Sequence, residues 1–116
     1  MNPNDMTAQQ AADWCAEQDG WRESLRHVRA SGQEVWCWER DGGDDSFSHP
    51  HPLTLDGAAA ALPEGWSVNL LFTYTDGNWG AKAFGPAGMW AIDGPDELTA
   101  RYRLAVACRM AAKEQA

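Results

Sequence analysis

Trp66, Val68, Leu70, Phe72 and Tyr74 fall at every second position, with Ser67, Asn69, Thr73 and Thr75 in the alternate places. Side chains of a strand point to opposite faces in turn, so this spacing predicts a strand over 66 to 75 with one face on a core; Leu71 is the one apolar residue on the other face. Asp76-Gly77 suits the positive φ of a tight hairpin and predicts a returning strand over Trp79 to Phe84. Gly85-Pro86-Ala87-Gly88 marks a second turn, followed by a third, shorter strand over Met89 to Asp93. Asp93-Gly94-Pro95-Asp96-Glu97 then places a cap, a proline and two acids where a helix begins, and the macrodipole favours negative charge there. In that last helix Leu104, Ala107, Cys108 and Ala111 form one apolar stripe, and Leu98, Tyr102 and Val106 form a second. Two stripes predict a helix with more than one packing neighbour.

Upstream, Thr7-Ala8-Gln9-Gln10 has the form of a capping box. Ala8, Ala11, Ala12 and Cys15 follow at helical spacing, and Gly20 is a natural stop. Residues 22 to 32 fit either a second short helix on Trp21, Leu25 and Val28 or an irregular arm, because Arg22, Arg26 and Arg29 surround the apolar positions closely. Glu34 to Arg40 alternates cleanly, Val35 and Cys37 against Trp36 and Trp38, and predicts a strand at a sheet edge followed by the acidic loop Asp41-Gly42-Gly43-Asp44-Asp45. His49-Pro50-His51-Pro52 predicts an extended connection. Thr54 or Asp56 then caps a short Ala-rich helix running to about Leu62. The expected fold is α+β over a single domain, residues 1 to 116: a small antiparallel sheet, the three-strand meander plus an edge strand, packed by helices in a sandwich-like arrangement.

Lys and Arg number 9 against 17 Asp and Glu, a net charge of −8. Such a chain is repelled by phosphate backbones and anionic lipid, so direct nucleic-acid or membrane binding is disfavoured and a partner protein with a basic surface is favoured. Residues 1 to 45 hold ten of the acids against four arginines, which places any acidic interaction face mainly in the first half. Three widely spaced cysteines and no apolar run long enough for a span or signal point to reduced thiols in the cytoplasm.

Seven tryptophans exceed what so small a core needs. One pair on the Glu34 to Arg40 strand faces the core and leaves the other for solvent or a partner. Trp36 and Trp38 beside Glu39, Asp41, Asp44 and Asp45 are the candidate partner-binding residues, aromatics anchoring and acids steering. His49 and His51 could ligate a metal with Cys37 or a loop aspartate, yet they lack the spacing of a paired ligand motif. The acidic loop lacks the spacing and closing Glu of a calcium loop. Nothing places Cys15, Cys37 or Cys108 beside His27, His49 or His51 as nucleophile and base, and no phosphate loop or nucleophile elbow occurs. The expectation is a non-enzymatic chain with no catalytic residues, no cofactor and no metal.

A helix ending in Gly20-Trp21, the segment Leu55-Asp56-Gly57-Ala58-Ala59-Ala60-Ala61-Leu62, then Trp66-Ser67-Val68-Asn69-Leu70, Trp79-Gly80-Ala81-Lys82-Ala83-Phe84 and Leu104 to Ala111 follow in an order that resembles the phage ABA-sandwich domain. That family of small phage and prophage proteins has no general assigned activity and offers no catalytic residue to carry over. Residues 22 to 48 match it poorly. The resemblance implies a phage or prophage origin, and small acidic phage proteins often bind a host protein; inhibitors of bacterial immunity, anti-CRISPR proteins among them, are one such group. The resulting expectation is an inhibitor in the host cytoplasm that occupies the surface of a nucleic-acid-binding immune effector. The alternatives are a small-ligand or metal module and a self-assembling structural phage protein.

Overall fold

The two stripes of the last helix meet two different cores. The computed structural model describes residues 2 to 115, apart from the side chains of Val28 and Gln115. A 3-10 turn (Pro3–Asp5) precedes α1 (Ala8–Gln18), β1 (Trp21–Val28), β2 (Gln33–Arg40), β3 (Asp44–Ser46) and α2 (Leu55–Ala61). The meander β4 (Ser67–Thr73), β5 (Trp79–Gly85) and β6 (Gly88–Gly94) leads into α3 (Glu97–Gln115). The fold is α+β, with two three-stranded antiparallel sheets in the orders β1-β2-β3 and β4-β5-β6. Tyr102, Ala105 and Val106 of α3 pack with Met6, Ala11, Ala12 and Cys15 and with Ala58 and Ala61 of α2. Leu104, Ala107, Cys108 and Ala111 pack instead on Ala81, Ala83 and Ile92 of the meander, with Trp66. Helix α3 is therefore a middle layer, and the small residues on every surface it meets let backbones approach closely.

Local chemistry sets the helix ends. Thr7 Oγ1 accepts from the Gln10 N–H while Gln10 Oε1 accepts from the Thr7 N–H, the predicted capping box. Thr54, not Asp56, caps α2, accepting from the Gly57 N–H at 2.9 Å. Asp96 caps α3 through the Thr99 N–H at 2.7 Å. Arg109 of α3 donates to the carbonyls of Ala61 and Cys15, at 2.7 and 3.2 Å, satisfying acceptors in the last turns of α2 and α1.

Three sequence expectations change. Residues 22 to 32 are neither helix nor irregular arm over most of their length: β1 runs through them and pairs with β2 in unbroken register from Trp21↔Arg40 to Val28↔Gln33. Arginines four apart suit a helical face as well as a strand, and the long-range pairing decides between them. Next, β2 is not at an edge of the meander's sheet but at the centre of a second sheet. Gly42 and Gly43, at φ 98° and 86°, turn the acidic loop back so that Asp44–Ser46 pairs as β3. Finally, β4 slips register between Val68 and Leu70. This bulge at Asn69 inverts the alternation, so Leu71 joins the core with Val68, while Leu70, Phe72 and Tyr74 lie on the face away from α3.

Candidate functional site

The sheet β1-β2-β3 projects from the helical layer. The radius of gyration is 15.9 Å, with extents of 52 × 35 × 24 Å; a compact chain of this length has about 13 Å. Cross-strand register assigns its two faces. Trp21, Glu23, Leu25 and His27 oppose Arg40, Trp38, Trp36 and Glu34 on one face; Arg22, Ser24 and Arg26 oppose Glu39, Cys37 and Val35 on the other.

The second face pairs its charges within itself, two arginines against three acids. Arg22 reaches Glu39 at 3.2 Å and Asp41 at 3.1 Å, and Arg26 reaches Glu39 at 3.0 Å and Asp45 at 2.9 Å. The hydrogen bond from Arg26 outweighs desolvation and holds the Glu39 carboxyl below its ordinary value. Asp44 pairs with Arg40 at 2.8 Å. Each acid of the Asp41 to Asp45 loop thus has a different arginine, and the loop gathers no cage for a shared cation. Among the described residues no group of three His, Cys, Asp or Glu side chains could hold a metal ion.

The two candidate tryptophans part company although they share a face. Trp36 is 64% exposed and stands opposite the exposed Leu25, whereas Trp38 is only 9% exposed. Trp38 packs at the root of the sheet, its ring 4.6 Å from that of His49. His49 Nδ1 accepts the His51 N–H at 2.9 Å, so the ring's proton lies on Nε2 and is donated to Asp13 at 2.7 Å. His51 Nε2 lies 2.7 Å from Asp19, which Arg109 also engages at 2.8 Å. The His-Pro-His segment thereby ties the projecting sheet to α1 and α3. Beside it a cleft of about 410 Å³ is lined by Asp13, Glu17, Arg22, Glu23 and Trp38.

Of the six predicted residues, then, the structure brings Glu39, Asp41 and Asp45 together with arginines, sets Asp44 on Arg40, buries Trp38 and leaves Trp36 exposed. The acids on the face of Trp36 that stand in no ion pair among the described residues are Glu23 and Glu34. Leu25 and Glu23 escaped the sequence reading because β1 was not legible as a strand; the signal is the two-residue period of Trp21, Glu23, Leu25 and His27. Burial pushes the Cys15 thiol up to about 11 and the Cys108 thiol up to about 12, which keeps both protonated and inert. No thiol is hydrogen-bonded to a histidine among the described residues. Compared with models of known families, with characterised proteins and with solved structures, the chain gives no match to any of them.

Proposed function

We propose that the chain is a small acidic binding protein that acts by occupying a basic surface of a partner protein, and that it binds through the Leu25–Trp36 face of the projecting sheet. The observation that carries this reading is Trp36, a large rigid apolar side chain held in solvent on a paired strand. Aromatics so placed dominate interface energetics because they bring much area at little entropy cost. Glu23 and Glu34 supply the steering charge that the self-paired Asp41, Asp44 and Asp45 do not. Inhibition of a host immune effector at its nucleic-acid groove is the specific form of this reading, since that groove is basic and the chain carries −8. It rests on charge and on the resemblance to small phage proteins, and it requires no catalysis by the chain.

Capture from a bacterial lysate by the immobilised protein, eluted with a salt gradient, tests the face directly. Trp36→Ala should abolish capture of the partner, and Glu23→Lys with Glu34→Lys should lower the salt at which it elutes. Asp41→Asn with Asp45→Asn should change little. Retention of the same partner by Trp36→Ala at the same salt would remove this face from consideration.

A further inference from the structure

Antiparallel sheets with one face on a core ordinarily turn a polar face to water. The meander does not. Its face away from α3 carries Leu70, Phe72, Tyr74, Phe84 and Met89, and four of these, all but Phe72, are between 43% and 53% exposed. Phe72 lies over Gly80, whose missing Cβ leaves room for the ring, and meets Tyr74 edge-on at 5.1 Å. Ordered aromatics on a continuous apolar strip mark an interaction surface.

The charges on this strip identify the occupant. Lys82 stands in the middle of the central strand, opposite Leu70 on one side and Ala91 on the other, and forms no ion pair among the described residues. Asp93 lies on the same face, opposite Gly80, with one carboxylate oxygen accepting from the Tyr74 hydroxyl at 2.9 Å and the other without a partner among the described residues. One unpaired cation and one half-used anion on a single apolar face are complementary to that same face turned about a two-fold axis. The Leu25–Trp36 face differs, because its unpaired acids would repel a second copy.

We propose that the chain self-associates as a two-fold dimer through the outer face of β4-β5-β6, with Lys82 of each copy paired to Asp93 of the other. The reciprocal pair compensates the desolvation that would otherwise oppose covering Lys82. Three strands about 4.8 Å apart and seven residues long span roughly 14 by 23 Å. A footprint of that size sets the dimer at the weak, concentration-dependent end of protein interfaces.

Sedimentation velocity from low to high micromolar protein tests it. The expected result is a monomer–dimer equilibrium that Lys82→Glu and Asp93→Lys each weaken by roughly thirtyfold or more and that the two together restore. Phe84→Asp should abolish association with an unchanged circular dichroism spectrum, since Phe84 supports no core. A monomer at every concentration would overturn the proposal, leaving the face to a different partner. So would a dimer indifferent to Phe84→Asp, or a double charge swap that fails to restore association while keeping its spectrum.

Discussion

Arg109 does more for this fold than its place on the last helix suggests. One guanidinium satisfies the Ala61 carbonyl at the end of α2, the Cys15 carbonyl in the last turn of α1 and the Asp19 carboxylate. Arg109→Met keeps much of the packed stem but takes the donor from the Ala61 carbonyl, while the Cys15 carbonyl keeps the Asp19 N–H and the Asp19 carboxylate keeps His51. A loss of about 2–4 kcal/mol is expected in denaturant unfolding. The same cluster sets a pH dependence. Desolvation alone would raise the Asp19 carboxyl, but the hydrogen bonds from Arg109 and His51 prevail and hold it below its ordinary value. The unfolded chain therefore takes up this proton before the folded one does. The resulting stability is fully present above the ordinary carboxylate range, near about pH 4, and is lost as pH falls through the lower native value. Unfolding midpoints measured down the acid range should fall less steeply in Asp19→Asn than in the parent; equal slopes would show that Asp19 is not the linked group.

At the level of elements, α2 reads as a case for stabilisation by alanine, since Gly57 interrupts Leu55-Asp56-Gly57-Ala58-Ala59-Ala60-Ala61 and Ala exceeds Gly in helix propensity by about 1 kcal/mol. The fold reverses the sign. A Cβ at Gly57 would collide with the Pro52 carbonyl oxygen and lie 2.9 Å from the Tyr102 hydroxyl, two groups hydrogen-bonded to one another. Gly57→Ala is expected to lower stability by about 1–3 kcal/mol in thermal or denaturant unfolding, and a gain would show that the α2–α3 contact yields easily. Elements whose signals are local were legible in this way from the residues: the Thr7 capping box, the Asp76-Gly77 hairpin and both stripes of α3. What was not legible depends on distant pairing. β1 needs β2 to decide its period, and the bulge at Asn69 needs β5 to reveal which of Leu70 and Leu71 faces inward. The candidate site divided along the same line. Trp36 and Trp38 were correctly placed on one face of a strand, but only the tertiary arrangement sets His49 against one and leaves the other in solvent.

The molecule as a whole is a stack of layers with a projecting sheet, and its three buried cysteines report on its parts separately. Cys15 lies in the core between α1, α2 and α3, and Cys108 in the core between α3 and the meander. Cys37 lies in the projecting sheet, outside both clusters. That sheet is held by cross-strand hydrogen bonds and partly exposed ion pairs, which contribute little, and by the Trp38–His49 contact at its root. It buries little apolar surface compared with the α3 layers, so its opening requires less free energy than global unfolding. Modification by a thiol reagent under native conditions, followed peptide by peptide, should therefore reach Cys37 first. Cys15 and Cys108 should react more slowly by about the ratio of the two opening equilibria, and low denaturant should accelerate them more steeply than Cys37, because global unfolding exposes more surface. His49→Ala removes the root contact and should accelerate Cys37 more than Cys15 or Cys108. If all three thiols react at one common rate with one denaturant dependence, the projecting sheet and the layered core form a single cooperative unit.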